Sequence, residues 1–290
     1  MSRRWLWLCW IWPLGLLLLP LLIVLRISLA EPRLAQPPYS PLLQVGADGA
    51  VSLDLRLDNY RLLLEDPLYV QAWLDSLGLA AGTALLCLLL AYPMAWAIAA
   101  NPPRRRHTLL LLVMLPFWTS LLLRIYAWMG LLAPQGMLSQ ALLWLGVTET
   151  PLAVLHSPAA VFIGMVYAYL PFMLLPIHAS LEKLDPQLLE AAADLGCRPW
   201  QAFLRVALPL SLPGVLAGMV LVFVPALGEF VIPDLLGGPG TLLLGQVLWN
   251  EFFANRAWPV AAALALTLLG SMMLILLTHQ FLQRRLGERV

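Results

Sequence analysis

Residues 76–100 read SLGLAAGTALLCLLLAYPMAWAIAA, a run in which no side chain carries a charge. A helix needs about 20 apolar residues to cross the hydrocarbon layer of a bilayer, so this run is long enough to span a membrane. A helix is the expected form, because hydrocarbon offers no hydrogen-bond partners to an irregular backbone. The segment therefore predicts a transmembrane helix.

The composition of the whole chain supports the same class of protein. Hydrophobic residues make up 61% of its 290 positions and charged residues 11%. A soluble domain carries roughly a quarter charged residues. The three cysteines are scattered along the chain and predict neither a disulfide framework nor a metal site. We therefore expect an all-α, polytopic membrane protein that holds no metal.

Further apolar runs raise the expected number of transmembrane helices to about six. The first lies within residues 1–29, and its apolar part covers residues 5–25. A secretory signal is the competing interpretation, because Ser28-Leu29-Ala30 resembles a cleavage site, but the length of the run and the charge of Arg26 favour an uncleaved helix. The other predicted spans cover residues 76–100, 108–132, 151–181, 213–236 and 258–282.

The remaining segments divide the chain into three parts. Residues 30–70 form a proline-rich polar insertion, in which the alternation of apolar and polar side chains over residues 51–57 predicts a short strand. Residues 71–290 form the core of about five spans, with a charged loop at 182–212.

The basic side chains predict the orientation of the chain, because Lys and Arg concentrate on the cytoplasmic side of a membrane. With both termini in the cytoplasm, eleven of the seventeen Lys and Arg residues lie on that side: Arg3, Arg4, Arg104, Arg105, Arg106, Lys183, Arg198, Arg205, Arg284, Arg285 and Arg289. Five lie opposite, namely Arg26, Arg33, Arg56, Arg61 and Arg256, and Arg124 lies within a span. The 182–212 loop is therefore predicted to be cytoplasmic.

The cytoplasmic loop predicts a short helix with a defined beginning and end. Asp185 is a suitable N-cap, and Pro186 is favourable in the first helical position. Residues 187–195 favour a helix, and Gly196 predicts a left-handed residue just past its end. One face of this helix is apolar and the other acidic or polar, with Leu188, Ala192 and Leu195 opposed to Gln187, Glu190 and Asp194. Two interpretations remain open: a helix on the membrane surface, or a helix that meets a basic partner.

The same loop carries a motif. Glu190-Ala191-Ala192 is followed after three residues by Gly196, and after nine more by Val206-x-Leu208-Pro209. This pattern resembles the signature of binding-protein-dependent transport permeases, with Val206 where the family usually has Ile. The resemblance implies a type I ABC importer permease fold in a bacterial inner membrane. It also implies that the loop contacts an ATPase subunit through Glu190, Ala191, Ala192, Gly196, Leu208 and Pro209.

The implied partners follow from the same resemblance. They are an ATPase dimer that uses ATP and Mg, a periplasmic binding protein, and a second homologous permease subunit. Other segments resemble the polyamine branch of the family: residues 116–120 with 124–128, 167–172, 181–185, 228–238 and 258–259. They imply uptake of putrescine or spermidine. Related importers carry thiosulfate, iron or phosphonates, and these substrates remain alternatives.

Several residues are candidates for contact with a cationic substrate, because cations are attracted to aromatic faces and to acids. They are Trp118, Tyr126, Tyr167, Glu229 and Asp234, with Trp128 and Tyr169 as further aromatic candidates. The alternative is that the aromatic residues anchor helices at the membrane interface.

Arg124 and Glu229 are predicted to neutralise each other. Straight helices would place Arg124 about 24 Å beyond Thr108, and Glu229 about 22 Å beyond Gly214, at a rise of 1.5 Å per residue. The two charges would then lie at a similar depth in the membrane, so we expect an ion pair.

The sequence lacks the residues that other classes of membrane protein would require. The chain has no G-x-x-x-x-G-K-[ST] phosphate loop, so ATP must bind a separate subunit. An ion-coupled secondary transporter predicts inverted repeats or ionisable residues near the bilayer midplane, and the sequence indicates neither. A membrane enzyme would need a cluster of nucleophile, base or metal ligands, which is also missing. We expect a transport subunit with no cofactor of its own, no catalytic residue and no nucleic-acid partner.

Overall fold

The computed structural model of the chain describes residues 3–33, 35–41, 43–45, 51–53, 55–238 and 240–287. The regular elements of these residues are helices, apart from one short hairpin. In chain order the helices are α1 Arg3–Ser28, α2 Asp58–Glu65, α3 Pro67–Ala99, α4 Pro103–Met114, α5 Leu121–Leu132, α6 Met137–Trp144, α7 Pro158–Leu181, α8 Pro186–Asp194, α9 Pro199–Ala202, α10 Leu208–Leu227, α11 Val231–Leu236, α12 Leu244–Trp249 and α13 Trp258–Gly287.

Five helical segments are long and apolar enough to cross a membrane. They are Pro67–Ala99, Leu121–Trp144, Pro158–Leu181, Pro199–Leu227 and Trp258–Phe281. A shorter apolar segment, Gly15–Ser28, lies in α1. The prediction of an all-α polytopic membrane protein is therefore confirmed.

One compact unit comprises Met1–Trp73 and Leu244–Met273. Its core joins Leu63, Tyr69 and Ala72 to buried residues of α12 and α13. Within the polar insertion, strands β1 Leu43–Val45 and β2 Val51–Leu53 pair antiparallel, with Leu43 opposite Leu53. The strand predicted at residues 51–57 thus covers only 51–53 in the structure, and residue 54 lies outside the described part.

The polar insertion is tied to the end of α1 by Asn59. Its side-chain Nδ2 donates to the carbonyl oxygens of Ser28 and Ala30 at 2.8 and 2.9 Å. Ser28 is the last residue of α1 and Ala30 lies just beyond it, where carbonyls have no partner within the helix. The hydroxyls of Tyr60 and Ser28 lie 2.8 Å apart in the same region. The insertion is thereby fixed at the point where α1 ends.

The second unit comprises Leu74–Leu243 and Leu274–Val290, and α7 packs closely on α10 within it. Gly214 and Gly218 permit this approach. A Cβ atom at Gly214 would overlap the carbonyl oxygen of Pro176 and the side chain of Ser180, and one at Gly218 would lie 2.7 Å from the sulfur of Met173. Small residues four positions apart let helix backbones approach in membrane proteins.

The third predicted span, residues 108–132, is interrupted in the structure. Helix α4 ends at Met114, a 3₁₀ turn covers Leu115–Trp118, and α5 begins only at Leu121. Pro116 opens this turn, and Thr119 and Ser120 have extended ψ angles of 153° and 138°. A proline lacks the N–H that a continuous helix requires and favours such an interruption. Residues 133–150, which lie between two of the predicted spans, contain α6.

The fifth predicted span, residues 213–236, begins earlier and ends earlier than expected. The helical segment runs from Pro199 to Leu227 and includes a π-helical turn, Phe203–Ala207. Gly228 ends it, and α11 follows as a separate short helix. Glu229 therefore lies in the break between α10 and α11, and not inside a continuous span.

Candidate functional site

The first residues of helix α8, in the loop at residues 182–212, form as the sequence predicts. The Asp185 side chain accepts a 3.0 Å hydrogen bond from the Gln187 backbone N–H, and Pro186 occupies the first helical position. Both are favourable at a helix N-terminus, where the first N–H groups lack partners within the helix.

Gly196 ends the loop helix with a left-handed backbone. Its φ is +83°, a conformation that a residue without a Cβ atom adopts at little cost. The Gly196 and Cys197 N–H groups donate to the carbonyls of Ala193 and Ala192 at 2.9 and 3.0 Å, which satisfies the last turn. A Cβ atom at Gly196 would meet no other atom within 4 Å. Backbone geometry, and not lack of space within the chain, therefore favours glycine here.

The surface of the loop is partly apolar. Ala192 is buried, whereas Glu190, Ala191 and Gly196 are exposed. The predicted apolar face of α8 is only partly covered by the rest of this chain: Ala192 is buried, whereas Leu188 and Leu195 are 46% and 86% exposed. Trp200, which follows in α9, is 58% exposed. These exposed apolar side chains make the loop a candidate interaction surface.

Leu208 and Pro209, at the end of the motif, follow the π-helical turn Phe203–Ala207. The Leu208 N–H donates to the Phe203 carbonyl five residues earlier. Pro209 has no N–H for the carbonyl four residues earlier, and a π turn is one way in which a helix continues past such a residue. The loop therefore continues into α10 as one helical segment.

Arg106 links the start of the loop to the helices that precede it. Its Nη1 contacts a carboxylate oxygen of Glu182 at 2.8 Å, and its Nη2 donates to the carbonyls of Ala99 and Asn101 at 2.8 and 3.4 Å. The carbonyls belong to the end of α3 and its connection to α4. One guanidinium therefore joins the end of α3, the beginning of α4 and the end of α7.

Glu229, a predicted substrate contact, is bound within the chain. Its Oε1 accepts from the backbone N–H groups of Val231 and Ile232 at 2.9 and 3.4 Å, and its Oε2 accepts from the Tyr169 hydroxyl at 2.6 Å. A carboxylate is favourable at the N-terminus of a helix such as α11. Glu229 thus stabilises the break after α10, and within the described part of the chain no cation neutralises it.

The predicted ion pair between Arg124 and Glu229 is wrong. Among the residues that the structure describes, no carboxylate lies within salt-bridge distance of Arg124. Its guanidinium carbon lies instead 4.9 Å from the ring centre of Phe117 and 6.0 Å from that of Tyr167. The prediction assumed two straight helices, whereas one is interrupted at residues 115–120 and the other ends at Leu227.

The other predicted contact residues are only partly brought together. Tyr167 lies 5.5 Å from Trp128 between ring centres and also faces Arg124. Trp118 and Tyr126 are 82% and 57% exposed, and Asp234 is exposed in the first turn of α11. The structure therefore does not gather these three with Tyr167.

Two aromatic residues were missed as candidates. Phe117 and Phe172 lie 5.2 Å apart between ring centres, and Phe172 lies 6.2 Å from Tyr169. Phe117 is adjacent to Trp118 in the sequence, and Phe172 follows Tyr169 within one turn of α7. Their closeness in sequence to aromatic residues already named as candidates could have indicated them. In the part of the chain that the structure describes, no group of three His, Cys, Asp or Glu side chains could hold a metal ion.

Comparison with known proteins identifies relatives over most of the chain. The family model described as "Binding-protein-dependent transport system inner membrane component" matches residues 88–287. The spermidine/putrescine transport system permease protein PotB of Escherichia coli K12 is 46% identical over 240 residues, which cover 83% of this chain and 87% of the relative. PotB of Haemophilus influenzae is 38% identical over 279 residues, covering 96% and 93%.

A solved structure shares the fold. It is a bacterial ABC transporter involved in the import of the acidic polysaccharide alginate, with a TM-score of 0.68. The likeness covers 98% of this chain and 96% of that one at 19% sequence identity. The expected ABC importer permease fold is therefore confirmed.

The family match also sets the class of activity. The chain is a multi-pass inner-membrane transport component and not an enzyme, as expected. A binding-protein-dependent system implies an ATPase and a periplasmic binding protein as partners. The chain belongs to the family of binding-protein-dependent transport system inner membrane components, the permease subunits of ABC importers.

Proposed function

We propose that this chain is a permease subunit of an importer for putrescine or spermidine. The observation that carries the proposal is its 46% identity, over 83% of its length, to a relative named as a spermidine/putrescine permease. In this proposal a polyamine-binding protein delivers the substrate, and the chain pairs with a second homologous permease above an ATPase dimer. Both termini lie in the cytoplasm.

The charge and the rings of the second unit suit a cationic substrate. Among the described residues no cation lies within salt-bridge distance of the Glu229 carboxyl group, and the Tyr169 hydroxyl holds that group in place. Aromatic rings follow from Tyr169 through Phe172 to Phe117. An ammonium group is attracted both to a carboxylate and to ring faces. A polyamine, which carries several such groups, could use both along one path.

The loop at residues 182–212 is proposed to transmit the movement of the ATPase. Leu195 and Trp200 would enter an apolar part of the ATPase surface, and the exposed carboxylate of Glu190 would meet a basic part. Buried Ala192 holds α8 close to its own chain, and the continuous segment Pro199–Leu227 carries the displacement into the membrane. ATP and Mg would bind the ATPase alone.

Uptake by the complete system tests the substrate. Membrane vesicles would contain this chain, its second permease and its ATPase. The matching binding protein would be added on the periplasmic side of the membrane. We expect ATP-dependent accumulation of labelled putrescine or spermidine, and no accumulation without the binding protein. If ATP hydrolysis responds to the binding protein while neither polyamine accumulates, the polyamine assignment is overturned, and thiosulfate, iron and phosphonate become the substrates to test.

A further inference from the structure

Arg124 occupies an unfavourable position for a cation. It lies in the first turn of α5, which begins at Leu121, and its backbone N–H donates to the Ser120 carbonyl. The N-terminal end of a helix has a partial positive charge, which repels a guanidinium. A charged side chain in an apolar span is also costly unless it is paired. The position therefore calls for a compensating interaction.

The compensation that the structure provides comes from aromatic rings. The Nε and Nη1 atoms of Arg124 are buried and have no hydrogen-bond partner among the described residues. The guanidinium lies over the Phe117 ring at 4.9 Å and near the Tyr167 ring at 6.0 Å. Such rings attract a cation by the negative charge of their faces. Arg124 thus fills a site that suits a cation but offers no bound acceptor for its N–H groups.

This cation site is continuous with the acid that is proposed to attract the substrate. Phe117 packs edge-on against Phe172, and Phe172 lies beside Tyr169, whose hydroxyl bonds to Glu229. A row of three rings therefore connects a place filled by a tethered guanidinium with an unneutralised carboxylate. A diffusing organic cation that moved along this row would meet Arg124 at its end.

We propose that Arg124 is a tethered competitor of the substrate: its guanidinium occupies the Phe117–Tyr167 site until an ammonium group of the substrate displaces it. The site then takes organic cations. This inference rests on the proposed polyamine function for the identity of the substrate. The existence of a cation site on these rings does not depend on it.

Refilling of the emptied site tests the proposal. The assembled transporter in detergent would carry Arg124→Ala, with Arg124→Gln as a second neutral variant should the first fail to assemble. Its thermal unfolding temperature, Tm, is followed as methylguanidinium or putrescine is added, because a ligand that binds the folded state raises Tm. Methylurea serves as the neutral control of similar shape. Arg124→Lys is the matched variant that keeps a tethered cation.

We expect a saturable upward shift in Tm of the neutral variants with both cations and no shift with methylurea. The wild type and Arg124→Lys should respond only at higher cation concentrations, since the added cation must displace their own. Adding Phe117→Leu to Arg124→Ala should remove the response. A neutral variant that responds to methylguanidinium no more than the wild type would overturn the cation site, and one that responds to methylguanidinium but not to putrescine would overturn the competition with substrate. If both cations bind the neutral variant while wild-type vesicles import no polyamine, the proposed function fails and the cation site stands.

Discussion

The hydroxyl of Tyr169 on α7 donates a 2.6 Å hydrogen bond to Glu229, the second residue beyond the end of α10. The bond joins α7, a largely buried helix of the second unit, to the break before α11. Tyr169 is buried and Glu229 is half-buried, so the bond is partly shielded from bulk solvent. Hydrogen bonds to charged groups contribute more to stability than those between neutral groups.

Tyr169→Phe should therefore destabilise the transporter by about 1.5–3 kcal/mol and slow uptake, because Glu229 loses one of its three donors. Thermal unfolding of the purified complex measures the first effect. Tyr126→Phe is the control for stability, since the Tyr126 hydroxyl is on an exposed side chain. Equal Tm values for Tyr169→Phe and wild type would contradict the role of this bond.

Gly214→Ala should reduce the stability of the complex by about 1–3 kcal/mol or prevent its assembly, because the added methyl group overlaps α7. Gly78→Ala on α3 is the matched control: its Cβ atom would meet nothing within 4 Å, so the helix should be unchanged or slightly more stable. The yield and Tm of both variants after purification measure the difference. A Gly214→Ala protein as stable as Gly78→Ala would show that α7 and α10 do not need this close approach.

Arg106 and Glu182 contact each other, but we expect them to contribute differently to the stability of the complex. The Glu182 side chain is 53% exposed, and an exposed ion pair contributes below about 1 kcal/mol. Arg106 also binds the carbonyls of Ala99 and Asn101, which Glu182 does not. We expect a small loss of Tm for Glu182→Gln and a larger one for Arg106→Gln. The opposite order would mean that the ion pair, and not the capping of carbonyls, holds this junction.

The beginning and the end of helix α8 could be predicted from the residues around them in the sequence. Asp185, Pro186 and Gly196 act through the backbone of their own neighbours, so their effects are contained in the sequence around them. The same holds for the apolar runs, whose length alone indicates a membrane helix. The family motif added the type of fold, which composition does not specify.

Contacts between helices could not be predicted in the same way. The interruption at residues 115–120 gave only one signal, Pro116, within a run that is otherwise apolar and uncharged. This interruption changes the course of the chain before Arg124. The depth at which a straight helix would place Arg124, level with Glu229, is therefore wrong. Phe117 and Phe172 meet only after α4, α5 and α7 are placed, because these two residues lie on different elements that are far apart in sequence. Gly214 and Gly218 did carry a sequence signal, a spacing of four between small residues, which was overlooked.

We propose that the loop around Gly196 couples ATP hydrolysis to polyamine uptake. Gly196→Asp adds a charged side chain that meets nothing within the chain, and aspartate tolerates the left-handed backbone better than most residues. Gly146→Asp is the matched control, since Gly146 also has a positive φ, +68°, and open space around it, but lies after α6.

ATP-dependent putrescine and spermidine uptake should be compared in vesicles of wild type, Gly196→Asp and Gly146→Asp, with equal amounts of assembled permease. The account predicts that Gly196→Asp imports neither polyamine while Gly146→Asp imports at close to the wild-type rate. Wild-type uptake by the Gly196→Asp transporter would contradict it.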